Sequence, residues 1–253
     1  MKRLFPVLFF LLIVAGLLLL FYSCGKSGDS LSPQTGVGGS MARFAITGNT
    51  LYIVSKQTLE VYNIANGAEP TKTTSKDIDV GIETIFPYGE NLFIGSTSGM
   101  YIFENKTPSN PVLLSQYSHV QSCDPVVVQG QYAYVTLRGG TECRRGATFS
   151  SLDVIDISDL RKPKMIETQR MDTPYGLGVS GNKLFVCEGD FGLKIMDVSN
   201  PASPVFARQF KDVAAYDVIA LQDQLILTGK NGLYQYHFDE TDKMELLSKI
   251  PVE

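Results

Sequence analysis

A four-residue apolar pattern, Leu51-Tyr52-Ile53-Val54 at its first appearance, returns along the chain at nearly constant spacing and restricts the fold more than any other feature. Its first position falls at Leu51, Leu92, Ala133, Leu184 and Leu225, so the steps are 41, 41, 51 and 41 residues. A period in the 40s built from short strand-like runs marks a β-propeller blade, which buries its faces against neighbouring blades. Helical periodicity is absent. The expected fold is therefore all-β: a five-bladed β-propeller of four-stranded antiparallel blades, preceded by a signal or anchor segment.

Five units cover residues 43–78, 83–120, 124–171, 175–213 and 217–250. In each, a short apolar run meets a polar two-residue turn such as Gly48-Asn49 or Gly181-Asn182, which suits a hairpin into the second strand. The third strand is Leu59 to Asn63, Met100 to Glu104, Leu152 to Asp156, Leu193 to Asp197 and Leu233 to His237. A proline follows at Pro70, Pro111, Pro163 and Pro204, and unit five lacks it. Proline cannot donate a ladder hydrogen bond, so it belongs at the start of an edge strand, here the outermost of the blade. Asp156 and Asp197, which end third strands, read as side-chain-capped turns rather than metal ligands. Each blade is expected to be continuous in sequence, with no strand shared between first and last, and the ring to close by side-chain packing.

Ahead of the repeats, Lys2 and Arg3 precede an uncharged apolar run from Leu4 to Leu20, the pattern of an export signal. Residues 1–24 read as a lipoprotein signal peptide ending at Cys24, where Ser23-Cys24-Gly25 resembles a bacterial lipobox. The alternative is an uncleaved membrane anchor, since residues 4–22 are just long enough to span a bilayer. Residues 25–41, rich in Gly and Ser, read as a flexible tether, and residues 42–253 as the propeller. Without Lys2 and Arg3 the chain has 20 basic and 26 acidic groups, a balance of −6, which argues against nucleic-acid binding. The expected location is the cell envelope, as an outer-membrane lipoprotein facing the periplasm or the cell surface, held by an N-terminal lipid. A monomer is expected.

The third strands, Leu152-Asp153-Val154-Ile155-Asp156 and Leu193-Lys194-Ile195-Met196-Asp197 above all, resemble the LVIVD-repeat family of bacterial surface and periplasmic propellers, often lipoproteins in the Bacteroidota. The resemblance covers residues 42–250 and implies the propeller. It implies no chemistry and transfers no catalytic residue.

In a four-stranded blade the first strand lines the central channel, so the loops entering first strands and those joining second to third strands open on one face. Around this entrance, Glu83, Asp124, Tyr175, Tyr216 and Asp217 stand at or near the starts of first strands. Asp217 is one residue out of register with Asp124, which turns a strand side chain to the other face. The loop joining second and third strands is longest in unit three, where residues 137–151 carry Arg138, Arg144 and Arg145. Long loops on rigid scaffolds are where binding usually resides. Cys123 and Cys143 lie in two loops of that face, and an exported chain permits a disulfide between them, the alternative being two free thiols. Cys187 reads as a small buried hydrophobe. His119 and His237 lie in different units, and no Cys/His cluster supports a metal; no cofactor is expected. Two functions fit: a non-enzymatic module binding an envelope protein or glycan, or a glycan- or lactone-active hydrolase using Glu83, Asp124 and Asp217.

Overall fold

Alternating apolar residues make strands, and strands apolar on both faces must be sandwiched. A computed structural model describes residues 38–78, 81–118, 125–140 and 149–252. Among them there is no helix, and twenty strands form five four-stranded antiparallel sheets, each continuous in sequence. Blade 1 comprises β1 (Phe44–Thr47), β2 (Thr50–Val54), β3 (Thr58–Asn63) and β4 (Thr71–Asp77). Blade 2 has β5 (Ile82–Tyr88), β6 (Asn91–Ser96), β7 (Gly99–Glu104) and β8 (Val112–Ser118); blade 3 has β9 (Val126–Gln129), β10 (Tyr132–Leu137), β11 (Ser150–Asp156) and β12 (Lys164–Met171). Blade 4 is β13 (Leu177–Ser180), β14 (Lys183–Cys187), β15 (Leu193–Asp197) and β16 (Val205–Phe210); blade 5 is β17 (Ala215–Ala220), β18 (Gln224–Gly229), β19 (Gly232–Phe238) and β20 (Met244–Pro251). The chain is a five-bladed β-propeller.

The repeat extends to fine geometry. Pro70, Pro111, Pro163 and Pro204 each stand immediately before a fourth strand. In blade 5 the turn is made instead by Asp239, whose carboxylate accepts from the Thr241 and Lys243 amides, with Asp242 at φ 61°. Asp156 and Asp197 accept from the amides of Ser158 and Ser199, so both are turn caps, and these hydrogen bonds hold their carboxyls below the usual range. Every blade has one register irregularity between its third and fourth strands, as at Val61/Tyr62 and Ile195/Met196, and such irregularities increase local twist.

The inner strands follow one another in order: β1 packs on β5, β5 on β9, β9 on β13 and β13 on β17. Among the described residues four apolar clusters hold the blades together, one at each junction from 1/2 to 4/5. The largest buried side chains, Tyr52, Phe93, Tyr134 and Phe185, occupy the same second-strand position in blades 1 to 4 and point toward the following blade. Burying such a side chain contributes roughly 1.5–3 kcal/mol. The two tyrosine hydroxyls are satisfied in that blade, Tyr52 by Asn105 and Tyr134 by the Pro201 carbonyl.

Among the described residues the last strand, β20, pairs with β19 alone, and each sheet is continuous in sequence. Closure by side-chain packing is the expectation that the structure does not meet. Among the described residues no buried apolar cluster joins blade 5 to blade 1. Residues 38–42 reach across to other blades, with the Ala42 carbonyl accepting from Ile85 of blade 2 and Ser40 bonded to blades 4 and 5. Composition assigns residues 38–41 to the tether, but these hydrogen bonds tie them into the propeller.

Candidate functional site

Where first strands begin, short loops bring side chains from several blades together, and a cavity of about 160 Å³ opens among Met41, Arg43, Glu83, Thr84, Pro125, Arg138, Pro174 and Tyr175. Three residues named from the sequence, Glu83, Arg138 and Tyr175, therefore meet in one place. Arg138 lies over the ring of Tyr175, its guanidinium carbon 4.0 Å from the ring centre. A stacked guanidinium presents its edge donors outward in a fixed plane, and the contact itself contributes about 0.5–2 kcal/mol.

Tyr175 is positioned by its backbone. Its amide donates to the Cys187 carbonyl at 2.8 Å, and its carbonyl accepts from the Thr136 hydroxyl of blade 3 at 2.6 Å. Tyr216 packs edge-on against its ring with centroids 5.1 Å apart, so it supports the platform from blade 5. The segment leading into Tyr175 is fixed by a buried ion pair that the sequence did not advertise. Glu188, fully buried, accepts from the Asp172 amide at 2.9 Å, while Lys194 stands 2.8 Å from its other oxygen and 3.6 Å from Asp172. That second oxygen has no well-aligned donor, so its interaction with the ammonium is chiefly coulombic. Glu188 directly follows the strand residue Cys187, and only the paired charges of Glu188 and Lys194 across a hairpin could have indicated it.

Asp217 faces its own chain. Its carboxylate accepts from the Ser40 hydroxyl at 3.2 Å and from the backbone amides of Ser40, Met41 and Val218. Ser40, itself buried, accepts in turn from the Leu177 amide at 2.7 Å. Gly39 and Gly176 flank the carboxylate so closely that a Cβ on either would overlap it. Burial is the larger influence and outweighs these donors, pushing the carboxyl up to about 6. Residues 38–41 thus act as a plug beside the cavity, with Asp217 as its catch. The opposite part of the channel is an apolar space of about 250 Å³ bounded by all five inner strands and Gly38.

Cys24, Cys123, Asp124, Cys143, Arg144, Arg145 and His119 lie outside the described residues. Cys187 is a buried free thiol, as read from sequence, and burial pushes it well up. His237 stands 3.8 Å from the Asp223 carboxylate, on the side opposite the entrance. Among the described residues no group of three or more His, Cys, Asp or Glu could hold a metal ion. Arg43, Thr84 and Pro125 join the cavity without having been singled out, because their convergence depends on blade packing rather than on local pattern.

Comparison with known proteins finds a repeat-family match over part of the chain. The LVIVD repeat model matches residues 147–173 and 176–212, which span the outer half of blade 3 and all of blade 4. No curated protein matches the chain. Among solved structures, the computationally designed Ika8 protein is 12% identical with a TM-score of 0.59, over 82% of this chain and 60% of its own. Citrobacter koseri AztD is 12% identical, TM-score 0.56, over 79% of this chain and 58% of its own. The periplasmic gluconolactonase PpgL of Pseudomonas aeruginosa is 12% identical, TM-score 0.60, over 80% and 68%. This chain spans about 60% of the length of the first two. At these identities the likeness is one of fold.

Proposed function

We propose that the chain is an exported, lipid-anchored module that binds a glycan or a protein segment on the entrance face, without catalysis. The observation that carries this reading is the cavity in which Arg138 is stacked on Tyr175 beside Glu83. A guanidinium held in plane by an aromatic ring, with a carboxylate beside it, offers fixed donors and an acceptor to sugar hydroxyls, which both donate and accept, so a glycan is the better-fitting ligand. Asp124, Arg144 and Arg145 of the same face extend the rim in this reading. Against the hydrolase alternative stands Asp217, whose carboxylate is engaged by Ser40, Met41 and Val218. The anchor is a lipid on Cys24, and the location is the envelope, with the propeller held off the outer membrane by the residues that follow.

A glycan array probed with the full chain tests the reading. Binding that weakens about tenfold in Arg138→Ala, the equivalent of roughly 1.4 kcal/mol, is expected. Turnover of a polysaccharide or lactone panel that disappears in Glu83→Gln would replace it with the hydrolase.

A further inference from the structure

One slot of the third strand carries a polar group in every blade: Glu60, Tyr101, Asp153, Lys194 and Tyr234 each pair with the third residue of the apolar second-strand pattern. In blades 1 to 4 a neighbouring side chain satisfies it. Glu60 is paired with Lys72, Tyr101 accepts from Gln116, Thr168 donates to Asp153, and Lys194 stands against Glu188. Blade 5 departs from this rule twice. Tyr234 and Tyr236 are only 8% and 5% exposed, yet among the described residues neither hydroxyl has a hydrogen-bond partner. Tyr236 stands where blades 2 to 4 have Phe103, Ile155 and Met196, which need none.

Both phenols line a groove of about 470 Å³ between β16 of blade 4 and β19 and β20 of blade 5. Their rings are nearly parallel with centres 6.1 Å apart, and Phe210 meets Tyr236 edge-on at 5.4 Å. The Lys249 ammonium lies over Tyr234, 5.0 Å from its ring centre. Burial above all, then Tyr234 and the Asp212 carboxylate, push the Tyr236 phenol up, so it keeps a proton to donate. Asp212 and Asn231 form one end of the groove, on loops of the entrance face that the Lys230 amide joins through the Ala214 carbonyl. An unpaired buried hydroxyl destabilises a fold, and phenylalanine in either slot would remove that cost.

From this we infer that the groove between blades 4 and 5 is a second sugar subsite, where a neutral oligosaccharide supplies the hydroxyls that Tyr234 and Tyr236 lack. The inference rests on the glycan reading of the entrance face. Asp212 and Lys249 give the groove one charge of each sign, so its walls favour neither an anion nor a cation. Each phenol can donate and accept, as can the Asn231 carboxamide, and sugar hydroxyls do both. Partly buried Phe210 and Met244 and exposed Leu246 offer apolar flanks to the C–H groups of the ring. The volume is within the range of roughly 300–1,000 Å³ typical of small-molecule sites. Residues 213–216 lead from Asp212 to Tyr216, which packs against Tyr175, so both subsites belong to one face.

Isothermal titration calorimetry of the full chain, held in a detergent without sugar headgroups, against neutral gluco-, xylo- and manno-oligosaccharides tests the inference. The double variant Tyr234→Phe/Tyr236→Phe removes two hydroxyls that bond to nothing in the protein. Its urea midpoint should hold or rise, while the dissociation constant of the bound sugar should rise about tenfold. Tyr101→Phe, which removes a hydroxyl already engaged by Gln116, should leave binding unchanged. Arg138→Ala separates the two subsites. Binding that weakens in Arg138→Ala but not in the folded double variant overturns the groove and leaves the entrance cavity standing. Binding that weakens in the double variant alone supports the groove and removes the entrance cavity. A wild-type chain that binds none of the sugars overturns both.

Discussion

Replacing Asp217 by Asn should change how stability depends on pH, in a direction that the geometry fixes. In the folded chain the carboxyl titrates near 6 instead of 3.8, because burial penalises its charge more than four donors favour it. The shift of about two units corresponds to roughly 3 kcal/mol of preference for the protonated folded state. A group whose folded value is raised contributes stability that is present at low pH and is lost as pH rises through the folded value. For this pair of values, about 2 kcal/mol is lost between pH 4.5 and 7. The Asn variant has no proton to release, so the wild type should gain about 2 kcal/mol relative to it on acidification from pH 7 to 4.5.

Differences between the two proteins isolate this contribution, since Asp156, Asp197 and Asp239, whose carboxyls are held low, titrate alike in both. Urea unfolding followed by tyrosine fluorescence is suitable because the chain has 12 Tyr and no Trp. By heat, the same effect is a relative shift of the midpoint of about 4–8 °C. Parallel stability curves across this range would show that the carboxylate is not held in the desolvated pocket between Gly39 and Gly176. A relative gain at high pH would mean that its hydrogen bonds outweigh burial.

Gly39→Ala should lower stability by about 1–3 kcal/mol, since its Cβ must displace the Asp217 carboxylate; an unchanged urea midpoint would count against the plug. Glu188→Gln leaves Lys194 with the more distant Asp172 as its remaining carboxylate partner, and a loss of about 3 kcal/mol is expected in the same assay. Cys24→Ala should abolish incorporation of labelled palmitate, and persistent labelling would rule out lipidation at this residue. Peptide mapping without reductant should recover Cys123 joined to Cys143, whereas two alkylatable thiols in protein from the native envelope would dismiss the bridge.

The blades were legible because their determinants are local. Leu193 to Asp197 is a strand in sequence pattern and in structure, and Pro204 stops the turn where a missing amide dictates. Ser40 was not legible for the opposite reason. A Gly-Gly-Ser run has the composition of a tether, and only partners far along the chain, Leu177 and Asp217, turn it into ordered structure. Glu83, Arg138 and Tyr175 could be named because first-strand starts and the long unit-three loop must share a face. Arg43 and Thr84 could not, since nothing in their neighbourhoods distinguishes them from ordinary strand-end residues.

The open junction shows where a repeat pattern stops being informative. Leu233 occupies the same slot as Leu59, Leu152 and Leu193, and by pattern alone all four are core. Burial requires a facing blade as well as an apolar side chain, and among the described residues no apolar cluster covers this face of blade 5. The sequence does carry a trace of this difference. Gln235 interrupts a slot that is Val or Ile in the other units, and Glu60 and Tyr62 replace the apolar pair that Tyr101 and Phe103 supply in blade 2.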